Sequence, residues 1–146
     1  MQREPKKYQV LNLCCTSKMI NKVTYWIELA DYDYIVAQDL QKAKHWLYVA
    51  FMCHQVLEKT LKAYWTATQP NDPPYIHNLT RLAEGCGLNQ LMNEELNLFI
   101  EMMTPMNIEA RYPDYKSLLA SSLNKNVCAE ILTKTQQLQQ WIKSKL

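Results

Sequence analysis

Apolar residues recur at steps of three and four along most of this chain. The pattern is densest between positions 46 and 65, where neither glycine nor proline interrupts it. Ala43, Trp46, Ala50, Cys53, Leu57, Leu61 and Tyr64 fall on one face of a helix. Tyr48, Val49, Met52 and Val56 add a second apolar surface beside it. A helix that is apolar on most sides sits centrally, with neighbours on both flanks. The pattern therefore predicts a central helix over 43–68. His54, Gln55, Glu58, Lys59 and Lys62 take the remaining arc of its second half. That polar corridor is either a functional surface or a solvated seam.

The same periodicity predicts a first helix over 22–41, with Trp26, Leu29, Ala30, Val36, Ala37 and Leu40 inward and Asp33 in the middle of the stripe. The prolines of the 69–74 run remove donors and force extended geometry, so a loop follows the central helix. A short helix over 78–84 carries Leu79 and Leu82, with Gly85 or Gly87 as its left-handed stop. The next, over 93–108, turns Leu96, Phe99, Ile100 and Met103 inward, and Pro105 should kink or interrupt it. Tyr112, Pro113, Asp114 and Tyr115 read as a loop. A last helix over 125–145 buries Val127, Ile131, Leu138, Trp141 and Ile142. The expected architecture is all-α, an up-and-down bundle of four long helices plus one short helix. Residues 1–18 lack helical period and read as a poorly packed extension, with Met19 a candidate natural start. The helical domain then spans 19–146.

Composition narrows the function classes. A chain of 146 residues fits one domain that buries roughly 70% of its unfolded surface. Only two glycines are present, which argues against an all-β fold with its tight turns. A net charge of +2 without a Lys/Arg block is too small for a dedicated DNA binder. The five cysteines include no CxxC pair; Cys53 and Cys128 take helical apolar positions, as small hydrophobes do. This usage points to a reduced, cytoplasmic protein. No apolar run reaches the roughly 18 residues of a membrane span, so no membrane association is expected. An apolar fraction of 48%, including four tryptophans and seven methionines, points to self-association as a homodimer.

Several residues could carry chemistry. Asp33 on an inward stripe needs a partner, because an isolated buried charge is costly. Lys59, Lys62 and Arg111 are the candidates, and the pair either ties two helices or serves a site. Glu58 and Lys62, four apart, form a favourable pair that contributes only a few tenths of a kcal/mol on an exposed helix. His54 and Glu58 could share a proton or offer two metal ligands. No third or fourth ligand stands at matching spacing, so neither a metal nor another cofactor is expected. His77, just before the short helix, reads as a cap or packing residue rather than a cleft residue. Arg111 suits bidentate recognition of phosphate or carboxylate, and Tyr112 and Tyr115 could stack on bases or on a partner. Equally, Arg111 could lock its loop by pairing with Asp33 or Asp114.

Four segments resemble the HEPN domain family. Trp26, Ala30, Asp33 and Ala37 match the spacing of its first helix. His54-Gln55, Glu58-Lys59 and Lys62-Ala63 resemble its second-helix signature. His77-Asn78-Leu79 with Leu82 resembles its short helix, and Arg111-Tyr112-Pro113-Asp114 its Arg-Tyr-Pro-Asp element. The resemblance implies a helical bundle, often dimeric, associated with a minimal nucleotidyltransferase partner in toxin–antitoxin-like pairs and with nucleotide or RNA binding. It further implies a ligand site from Asp33, Gln55, Glu58, Lys59, Lys62, Arg111, Tyr112 and Asp114. Some members cleave RNA without metal, using an arginine followed after four to six residues by a histidine. Here the corresponding positions are Lys116, Ser117 and Leu118, and no histidine follows His77. The resemblance therefore favours a nucleotide-, phosphate- or partner-binding module. A metal-independent ribonuclease using Arg111 with His54 or His77, and a purely structural dimerisation bundle, are the alternatives.

Overall fold

A computed structural model describes residues 21–107 and 113–146. The expected extension over 1–18, Met19, Arg111 and Tyr112 lie outside the described residues. Within them the chain forms α1 (Lys22–Lys42), α2 (Trp46–Thr68), α3 (Leu79–Gly85), α4 (Glu94–Met103), α5 (Pro113–Ser122) and α6 (Lys125–Lys143). No strand occurs among the described residues, and no helix there is long and apolar enough to cross a membrane.

Asparagine opens four of these helices. The side chains of Asn21, Asn78, Asn93 and Asn124 accept from backbone N–H groups of the first turns of α1, α3, α4 and α6. Between α1 and α2 the chain turns through Ala43, Lys44 and His45, with Lys44 in the left-handed region at φ 65°. The predicted start of the central helix at Ala43 is therefore three residues early. Gly87, at φ 74°, provides the stop after α3. Gly85 has a different role: a Cβ there would lie 2.4 Å from the Trp65 ring, so only glycine lets α3 approach α2 this closely.

The central helix is α2, as predicted. Val49, Ala50, Cys53, Leu57 and Leu61 are sealed from solvent, with α1 and α6 packed on α2 on one side and α3 on another. Leu79, Leu82, Leu88, Ile100 and Met103 complete the core. Each fully buried leucine contributes roughly 1.5–3 kcal/mol relative to an exposed one. Cys53, Cys86 and Cys128 are free and buried. Burial pushes the Cys53 thiol up to about 12 and that of Cys128 to about 11.

One expectation holds and others need correction. Pro105 does interrupt the fourth helix: α4 ends at Met103, and Thr104–Met106 tighten into a 3₁₀ turn. The 112–115 loop is instead, from Pro113 onward, a helix, α5. Proline suits the first helical position, where its missing N–H would have no intrahelical partner anyway. With α5 the described residues form six helices rather than five, and α4 and α5 are ten residues each. Tyr48 and Val127, expected inside, are exposed, while Val49 and Cys128 beside them take the buried face.

Candidate site for an anionic ligand

The polar corridor of α2 is pressed against α1 on one side and against the proline-rich strap of residues 69–78 on the other. Asp33 of α1 forms an ion pair with Lys59 of α2. One turn on, Lys62 Nζ donates to Glu58 Oε1 at 2.7 Å and stands 5.6 Å from the centre of the Trp26 ring of α1. Glu58 Oε2 and Oε1 also receive His77 Nδ1 from the strap, at 3.0 and 3.1 Å. His54 Nε2 donates to the His77 carbonyl at 2.9 Å, and its Nδ1 lies 3.8 Å from Glu58 Oε2. Asp33, Glu58 and Lys62 are 8%, 5% and 7% exposed and His54 is fully buried. The pair of Glu58 and Lys62 is thus no exposed surface pair, as spacing alone implied, but the centre of a buried polar cluster.

The charges in this cluster follow from its geometry. Burial acts to raise the Glu58 carboxyl, but hydrogen bonds and positive charge from Lys62 and His77 outweigh it and hold the group below the usual carboxylate range. An ionised carboxylate only accepts, so His77 Nδ1 carries a proton and Nε2 is its basic nitrogen. A carbonyl likewise only accepts, so His54 is protonated at Nε2. His77 does not cap α3, since Asn78 does; its imidazole is tied to α2 instead.

Beside Lys62 the surface opens into a groove of about 250 Å³. Trp26, Tyr25 and Lys22 of α1 line one side, and Asp72, Pro73, Pro74 and Tyr75 of the strap line the other. Lys22 bridges the rim to Asp72 at 2.7 Å. The strap is further anchored by Trp65 Nε1, which donates to the Asn71 carbonyl at 3.0 Å. Flat aromatic walls with ammonium groups at floor and rim suit a planar ring carrying an anionic group. The volume is below the roughly 300–1,000 Å³ typical of drug-sized ligands, so the groove would hold only part of one. A second cleft of about 230 Å³ between α3 and α4 carries Glu84, Glu94 and Glu101 and, among the described residues, no cation, so it repels anions.

Of the residues expected in a site, Asp33 pairs with Lys59 and Glu58 with Lys62, and Gln55 is half-buried on the same helix; of these only Lys62 lines the groove. Asp114 is exposed in the first turn of α5, without an ion pair to another described residue. Arg111 and Tyr112 are outside the described residues. Sequence reasoning did not place Trp26, Lys22, Tyr25, Asp72 or Tyr75 at the groove. The step of seven from Trp26 to Asp33 along α1 was the available signal, because it puts the ring over the same corridor as the carboxylate. Among the described residues, no group of three or more His, Cys, Asp or Glu could hold a metal ion.

No curated protein matches this chain. Among solved structures, the crystal structure of TT1696 from Thermus thermophilus is similar, with a TM-score of 0.74 at 20% identity. The match covers 87% of this chain and all of that one, and at this identity it speaks for the fold alone. The family model for the HEPN domain matches residues 23–145, which span α1 to the end of α6. With its corridor signature in place on α2, the chain belongs to the HEPN domain family.

Proposed function

We propose that this HEPN domain is a nucleotide- or phosphate-binding module that works with a minimal nucleotidyltransferase in a toxin–antitoxin-like pair, as a cytoplasmic homodimer. The observation that supports it is the groove at Lys62. A buried ammonium faces aromatic and proline walls, next to a corridor whose other charges are already compensated. The base stacks against Trp26 or Tyr25, and the phosphate takes Lys62 or Lys22 in exchange for their present carboxylates. Titration calorimetry with AMP and ATP tests the ligand: saturable binding that Lys62→Met abolishes is expected. Heat signals unaffected by that change would remove the groove from the account. Co-purification with a nucleotidyltransferase expressed alongside tests the partner, and separate elution of the two would exclude it.

A second reading, a metal-independent ribonuclease, draws on one observation. His77 is oriented by a buried carboxylate through Nδ1, which leaves Nε2 able to take up a proton. Chelator-resistant RNA cleavage that Arg111→Ala and His77→Ala both abolish would favour it. Cleavage persisting in the two variants would rule that mechanism out.

A further inference from the structure

We infer that His77 sets the net charge of the groove, and hence its affinity for an anionic group, through the Glu58 carboxylate that it shares with Lys62. The inference rests on the groove reading above and concerns its regulation; the ligand group is a phosphodiester or another anion seated on Lys62.

The argument is one of charge. Lys62 and His77 both bind Glu58 Oε1, at 2.7 and 3.1 Å, so the carboxylate is divided between the groove and the strap. With a neutral imidazole, Glu58 and Lys62 cancel, and an incoming anion meets no net charge. A second proton on His77 leaves the trio one positive. It also strengthens the claim of His77 on Glu58, which loosens the hold of the carboxylate on Lys62 and frees that ammonium for the ligand. The neighbouring charges do not blur this. On α1 and the strap, Lys22 is matched by Asp72, and Lys59 of α2 by Asp33 of α1. Among the described residues Glu84 of α3 forms no ion pair with His77, and Arg81 carries the same sign as a protonated imidazole. The His77 side chain is 64% exposed, so it exchanges protons directly with solvent. His54 is the other titratable group near this carboxylate, and the test must separate the two.

Binding of the deoxydinucleotide dApdA, measured by calorimetry at about pH 5.5 and about pH 8, brackets histidine titration while the phosphodiester charge stays fixed. The wild-type protein is expected to bind at least about fivefold more tightly at the lower pH. His77→Gln, whose amide still donates to Glu58, should show the weaker affinity at both values, which separates His77 from His54. Where a variant fails to fold, NMR titration of His77 in the wild-type protein gives the reciprocal reading: saturating dinucleotide must move its midpoint upward. Wild-type binding that is flat with pH, or a response that survives in His77→Gln, overturns the inference and leaves the groove standing. Absence of binding at every pH overturns the groove reading and the inference together.

Discussion

Asp33 shows how far a single residue can be read. A carboxylate in the middle of an apolar stripe required a cation, and Lys59 supplies it from the facing helix. Lys59→Met should cost about 3 kcal/mol in chemical denaturation, because it strands a buried charge. Asp33→Leu combined with Lys59→Met should recover most of that loss. Glu58 makes a different prediction. Its folded pKa is depressed, so its contribution is complete above the unfolded carboxylate value of about 4.3 and is lost as pH falls through the folded value. The stability gap between wild type and Glu58→Gln should therefore be widest above about pH 5 and close on acidification. A gap independent of pH in urea melts would contradict the charge assignment. His77 was not legible in the same way. Its partner Glu58 lies nineteen residues earlier, across a loop, and no local spacing carries that information.

At the scale of elements, periodicity located the long helices because each buries a defined face, whereas boundaries depended on single backbone conformations. The start of α2 hinges on Lys44 at φ 65°, a conformation that a lysine codon does not announce. The prolines had opposite consequences: Pro105 broke α4, while Pro113 opened α5. A helix with no buried residue leaves no apolar stripe to read, which is why α5 was missed. The contact of α3 with α2 is the most exacting of these packings. Gly85→Ala should push the Trp65 indole aside and cost about 1–3 kcal/mol. Because that indole also holds the strap at Asn71, amide exchange along residues 69–78 should accelerate in the same variant. Unchanged stability and exchange would show that the ring has room to yield.

For the whole molecule, the all-α bundle and its central helix followed from the apolar pattern, since a helix covered on both flanks leaves a nearly continuous apolar record. The site was legible only in part. Glu58, Lys59 and Lys62 share an arc of one helix, which sequence shows directly. The groove needs α1, α2 and the strap at once, and its strap wall of prolines and Tyr75 reads in sequence merely as a loop. The functional account depends on that groove rather than on the acidic cleft between α3 and α4. Amide and indole chemical-shift mapping with ATP decides the matter most directly. Perturbations should centre on the Trp26 indole, Tyr25, Lys62 and residues 72–75, and disappear in Lys62→Met. Shifts gathered around Glu84, Glu94 and Glu101, or none at saturating ATP, would contradict the account.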